Sequence, residues 1–306
     1  MGNVYRNFYR NFYMRTNGFI PVSPLGKTVY PGDFFQIRNG QMIALGNIFR
    51  NGLIEPQEVA LANHNKLNPE GWSFSDGVSK PYAGRGNGND PLKGEFEFSK
   101  QILAFAERGN FIFKASDPES IRILNWSDIQ QTLIIRLTQT HYSFREVYVV
   151  TESAAAADWT LAVSGGNMAE LEIVTDQENF GLVDIFGHHS SKTIQSKDIE
   201  FYHREEKRKS SFYKAKKLVV REEKTETLAA NFIAQWEGHN EWAQGFYEQD
   251  FHFDYQYVNN MGTHSQDNLL DLLPPNELNP STALLYFKWA DTSLDDVEKL
   301  LINYGE

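Results

Sequence analysis

Cysteine is absent from all 306 residues, and that absence removes a whole set of chemistries. Without thiols there is no disulfide framework, thiolate metal site, cysteine nucleophile or S-palmitoyl anchor. Long apolar runs are missing too. The stretches present are a few residues long, far short of the ~20 that a spanning helix needs. No secretory hydrophobic block opens the chain, and Arg6 stands where a myristoylated N-terminus carries Ser or Thr. These absences fit a chain that is cytoplasmic at rest. Catalytic signatures are also lacking: there is no nucleophile elbow, phosphate-binding loop or paired-carboxylate motif. The eight histidines show no metal-ligand spacing, and the adjacent His188-His189 reads as a surface feature. Glu152 and Asp158 read as strand and turn residues rather than acid/base partners. The expectation is a protein that is not an enzyme and uses no cofactor and no metal.

Basic charge is scarce in one part of the chain. Residues 1–226 are balanced, whereas residues 227–306 hold only Lys288 and Lys299 against thirteen acids, which accounts for the whole net charge of −11. Just before that acidic segment lies a basic cluster of Arg204, Lys207, Arg208, Lys209, Lys214, Lys216, Lys217 and Arg221. Such asymmetry fits two parts with different partners, one part covering the other, or a solvated strand edge followed by an acidic tail. Phe212 and Tyr213 lie within the cluster, but an acidic chain without a recognisable DNA or RNA module argues against nucleic acid.

Aromatic residues are plentiful, with 22 Phe, 14 Tyr and 6 Trp. Their most ordered display is near the N-terminus, where Tyr5, Phe8, Tyr9, Phe12 and Tyr13 fall on one face of a helix. Arg6, Asn7, Arg10 and Asn11 take the opposite face, and Arg15 follows. Such a helix can rest in a lipid headgroup layer or lie on its own protein's core with its arginines in water.

Downstream, Gly18 ends the helical pattern and Phe19-Ile20-Pro21-Val22 reads as extended chain. Asn39-Gly40 between two alternating runs, 33–38 and 41–45, predicts a hairpin. Residues 51–70 are mixed and polar, and the glycine-spaced 84–90 reads as a loop. Strands are expected at 94–99 and 110–116, with Phe96/Phe98 and Phe111/Phe113 in period two. Asp117-Pro118-Glu119 predicts a helix opening that runs to about 140. Further strands are expected at 146–152, 159–164, 169–175, 182–187, 197–203 and 211–221. A helical pattern starts near 227, a Pro/Asn-rich loop covers 274–280, and a last helix is expected at 293–303.

Three segments carry a family resemblance. A basic amphipathic helix running into Phe19-Ile20-Pro21-Val22-Ser23-Pro24-Leu25 resembles the start of gasdermins, the pore-forming cell-death proteins. Val147-Tyr148-Val149-Val150-Thr151-Glu152 is similar to a strand of that family. Ser190 to Ile194, Ile199 to Phe201 and Leu218 to Val220 are similar to the strands that close its pore-forming domain. The resemblance implies an α+β fold over 1–226, a twisted antiparallel sheet with surrounding helices. A small, mainly helical, acidic segment over 227–306 would follow, too short for the large helical repressor domain of animal members.

By the same resemblance, the chain is a membrane pore-forming effector of regulated cell death, held autoinhibited until activated. Arg6, Arg10 and Arg15 would engage an acidic phospholipid membrane, and the basic cluster from Arg204 to Lys217 would add to that contact. Insertion hairpins are expected over 93–116 and 146–175, with Phe96, Phe98, Phe111, Phe113, Val147, Val149, Leu171 and Ile173 facing lipid. Copies would self-associate into a ring that closes a β-barrel, since an open edge in hydrocarbon leaves backbone groups unpaired. Trp236, Trp242, Phe246, Tyr247 and Trp289 would hold the acidic segment on the body by burial. An activating protease cutting near 221–230, or an encounter with a related protomer, would release it. The alternative is a non-enzymatic β-rich module that binds a protein or glycan through aromatic surfaces.

Overall fold

Period-two alternation builds sixteen strands in three antiparallel sheets, seen in a computed structural model that describes residues 4–302 apart from 39, 91–93, 139–146, 176–183, 189 and 225–279. The largest sheet has eight strands. They are β1 (Ile20–Pro21), β2 (Asp33–Arg38), β3 (Gln41–Asn47), β4 (Leu61–Lys66), β9 (Glu119–Ile123), β10 (Tyr148–Ala156), β15 (Lys209–Val220) and β16 (Phe287–Asp291). Its main path runs β1-β15-β10-β2-β3, with β16 also on β15, β9 on β10 and β4 on β9. A second sheet joins β5 (Ser73–Asp76), β8 (Phe111–Ser116), β11 (Asp158–Ser164) and β14 (Ile199–Glu205) in the order β14-β11-β8-β5. The third joins β6 (Val78–Asp90), β7 (Gly94–Phe105), β12 (Ala169–Thr175) and β13 (Lys192–Lys197) in the order β13-β12-β7-β6. Four α-helices complete the described fold: α1 (Arg6–Arg15), α2 (Trp126–Thr138), α3 (Pro280–Tyr286) and α4 (Leu294–Lys299). The class is α+β, with antiparallel sheets and few helices.

Strand alternation also sorts the core into layers. On β8, Phe111 and Phe113 turn toward α1, while Ile112 turns the other way and joins Leu103, Phe105, Leu171 and Ile173 of the third sheet. On β10, Tyr148 and Val150 face the α1 side. Val149, with Val147 just before the strand, belongs to the opposite cluster, which includes Leu133 of α2 and Ala283 of α3. The central strands β8 and β11 of the second sheet are therefore buried on both faces, and α1 sits where that sheet meets the largest one.

Local signals hold where the chain pairs with itself nearby. The hairpin expected from 33–38 and 41–45 forms, with Arg38 opposite Gln41. Helix α1 ends as its sequence predicts. Asn17 takes φ +57° and Gly18 φ +92°, and the Gly18 N–H reaches back to the Tyr13 carbonyl at 2.8 Å.

Several expectations are corrected. Residues 84–90 are strand, not loop, because each pairs with β7 from Gly84↔Lys100 to Asp90↔Gly94, which offsets the glycine penalty. The helix expected from 117 begins only at Trp126. Asp117 takes φ +46° and gives its carboxylate to Lys66 and Arg208, and β9 is paired on both sides, with β10 and β4. Residues 184–187 are loop and turn rather than strand: the Asp184 carboxylate accepts the Phe186 N–H, and Ile185 and Phe186 drop into the core. The polar stretch 51–70 contains β4. Neither 93–116 nor 146–175 is a hairpin of this fold. Strand β7 pairs with β6 and β12, while β8 pairs with β11 and β5, so the hairpins of the third sheet are β6–β7 and β12–β13. The helical pattern expected from 227 lies outside the described residues.

Candidate functional site

Helix α1 meets the rest of the molecule through two unlike faces. Phe8, Tyr9 and Phe12 are buried, with Tyr5 and Tyr13 half-buried beside them. Phe8 meets Phe111 with ring centroids 5.4 Å apart, and Phe12 meets Phe113 at 5.2 Å and stacks on Phe212 at 4.8 Å. Each ring so buried contributes about 1.5–3 kcal/mol by area alone, so this face is firmly seated.

The arginine face meets the C-terminal tail. Arg6 Nε lies 2.8 Å from Glu298 of α4, and Arg10 lies 3.5 Å from the same carboxylate. All three groups are substantially solvent-exposed, so each pair is worth about 0.2–1 kcal/mol. Tyr13 adds a bond from its hydroxyl to the Thr292 carbonyl at 2.8 Å. Its phenol is pushed up by burial and by the nearby Asp296 and Asp291 carboxylates.

The tail is tied down next to α1. Strand β16 covers the edge of β15 from Lys216↔Asp291 to Val220↔Phe287. Lys216 reaches Asp291 at 2.6 Å, and Lys217 reaches Asp296 at 2.9 Å. Asp296 is only 1% exposed. It accepts the Tyr148 hydroxyl at 2.8 Å and the Ser293 N–H at 2.8 Å, closing a capping box on α4. Burial pushes its carboxyl up, but the Lys217 ammonium, the Ser293 N–H and the Tyr148 hydroxyl together hold it below the usual carboxylate value. A buried charge so fully partnered fixes the tail's register on the body.

The remaining predicted lipid contacts, Lys207 apart, are engaged in the fold. Arg15 lies over the Phe74 ring, 5.4 Å from its centroid. Lys214 lies over Phe19 at 4.4 Å, with Glu152 at 3.4 Å. Arg208 pairs with Asp117 and Glu119, Lys209 with Glu205, and Arg204 lies 3.6 Å from Glu206. Lys207 is exposed in the turn between β14 and β15. Thus Arg6, Arg10, Lys216 and Lys217 converge on the tail, while the rest are spread over the body.

Of the residues expected to face lipid, Phe111, Phe113, Val147, Val149, Leu171 and Ile173 are all buried here. Phe98 is half-buried, and the side chain of Phe96 lies outside the described residues. Trp289 does contact the body, donating from Nε1 to the Gln130 carbonyl at 3.0 Å and packing edge-on against Trp126 at 5.4 Å. Trp236, Trp242, Phe246 and Tyr247 lie outside the described residues. The residues sequence reading missed are Glu298, Asp296 and Asp291. Only the bulk acidity of the tail signalled them.

Among the described residues no group of three or more His, Asp or Glu side chains could hold a metal ion. No helix among them is long and apolar enough to cross a membrane, which says nothing of strands. No protein-family model matches the chain, and no curated protein sequence does. Solved structures are similar to it, two gasdermins among them. The Gasdermin A3 membrane pore aligns over 71% of this chain and 90% of its own at 13% identity and a TM-score of 0.33. A bacterial gasdermin from Bradyrhizobium tropiciagri aligns over 69% of this chain and 88% of its own at 10% identity and a TM-score of 0.28.

Proposed function

We propose that this chain is a gasdermin-like pore former, cytoplasmic at rest and membrane-bound once its tail is released. One observation carries the reading: Glu298 of the acidic tail occupies the arginine face of α1, the face suited to anionic lipid. While it stays there, its carboxylate competes with phosphates for Arg6 and Arg10. Release frees both, together with Lys216 and Lys217. Each cation near an anionic surface contributes about 1 kcal/mol, so several must act together, and a ring of copies multiplies the hold.

Insertion then falls to the third sheet, whose two hairpins already lie side by side. Strands β6 and β7, of 13 and 12 residues, meet the ~9–11 residues that a spanning strand needs. Strands β12 and β13, of 7 and 6 residues, fall short, so residues between 176 and 191 would have to join them. On β12, buried Leu171 and Ile173 alternate with Glu170 and Glu172, the pattern of a wall with one apolar and one wet face. Ring closure leaves no strand edge in hydrocarbon.

Dye release from vesicles tests the reading. A protease recognition sequence placed between 221 and 230 of the full chain makes the trigger controllable. Cleavage is expected to cause leakage of vesicles rich in acidic phospholipid and little leakage of neutral ones. An intact tail should keep the chain inactive on both. If cleaved chain leaks neither, pore formation is wrong. The rival reading, a module that binds through aromatic surfaces, has little support, since Trp72, Trp159 and most phenylalanines described are buried.

A further inference from the structure

Among the described residues, the contacts that hold the tail run between residues 280–302 and residues up to Arg221, and nothing in them depends on both belonging to one chain. Strand β16 adds to an edge, α4 lays Glu298 against α1, and Asp296 plugs between Lys217 and Tyr148. Between the last described residue of the body and the first of the tail run residues 225–279. At about 3.3 Å each, their contour is on the order of 180 Å, long enough for a tail to reach a neighbouring copy's body when copies are concentrated enough to compete with the tether.

We propose that the β15 edge is a strand-acceptor site that takes β16 and α4 from a second copy of this chain. The occupant is specified by chemistry. An aromatic residue must stand opposite Val220, Trp289 opposite Leu218 and an acid opposite Lys216, and a second acid five residues on must reach Lys217. Main-chain pairing supplies affinity and these pockets supply specificity, as in other strand additions. Reciprocal exchange makes a two-fold dimer from the same interface. One chain's opened tail thereby becomes a competitor for its neighbour's latch. The proposal goes beyond pore formation and stands or falls without it.

The absence of cysteine makes the test clean. Val219 and Lys288 are opposite one another across the β15–β16 pair. Full chains carrying Val219→Cys are mixed with full chains carrying Lys288→Cys under mild oxidation. The expected product is a disulfide-linked dimer containing one chain of each kind, reduced at least fivefold by Lys216→Glu in the acceptor. The double variant Val219→Cys/Lys288→Cys, diluted, should close within one chain. Independently, a fluorescein-labelled peptide of residues 284–302 is titrated against the full chain. It should bind at least tenfold more tightly to a chain whose own tail carries Asp291→Lys and Glu298→Lys than to the unaltered chain. Either a mixed dimer or saturable peptide binding upholds exchange. Absence of both overturns it, whatever the single-chain control shows.

Discussion

The two faces of α1 are held by different physics. Its aromatic face is buried in a network of rings, which salt and pH leave largely untouched. Its arginine face is held by a single carboxylate on a six-residue helix, in water, where Coulomb attraction is weak and screened. One contact is strong and the other weak. What keeps the weak contact in place is a third feature, the nearly buried Lys217–Asp296 pair and the strand beside it. The tail therefore has a strong anchor and a weak hand, and the two should be separable by mutation.

The largest effect is expected from the aromatic face. Phe12→Ala removes a fully buried ring, and should cost about 3–5 kcal/mol, read as a lower denaturant midpoint with unfolding still cooperative. A loss below about 1 kcal/mol would mean that α1 is not seated as described.

Next comes the anchor. Asp296→Ala strands the Lys217 ammonium and the Tyr148 hydroxyl, and should cost about 2–4 kcal/mol of tail attachment. Hydrogen exchange should show it as faster exchange along the outer edge of β15, with slow amides in β8 and β11 unchanged. Acid acts on the same group. Because the folded value of Asp296 is depressed, its contribution is complete above the ordinary carboxylate value of 3.8 and is lost as pH falls below it. Tail release should therefore steepen below that pH, and Asp296→Asn should remove this part of the acid dependence.

The weak contact is the smallest in stability and the most telling in function. Glu298→Lys should cost less than about 1 kcal/mol, yet raise binding of the full chain to acidic vesicles. Arg6→Glu with Arg10→Glu should weaken that binding far more than binding to neutral vesicles. Equal loss on both surfaces would point to a folding defect instead of a lost lipid contact.

Much of the fold was legible because its signals were local. The stripe from Tyr5 to Tyr13, the stop at Gly18 and the hairpin over 33–45 each set their own neighbourhood. Where the reading failed, distant pairing had overruled a local preference. Gly84 to Asp90 became strand because β7 lies alongside. Residues 119–123 became strand despite Asp117-Pro118, because β4 and β10 claim their backbone groups. The candidate site was half legible: Arg6 and Arg10 were chosen from sequence, but their partner was not.

By itself, then, the sequence determined the amphipathic first helix, the alternation of most strands and the segregation of acid into the last part of the chain. Each is a matter of residues within a few positions of one another. Only the tertiary structure decided that β16 extends the sheet beyond β15, that Asp296 is buried against Lys217, and that Glu298 lies over Arg6 and Arg10. Those contacts join residues far apart in the chain, and it is folding of the whole body that brings them within a few ångströms.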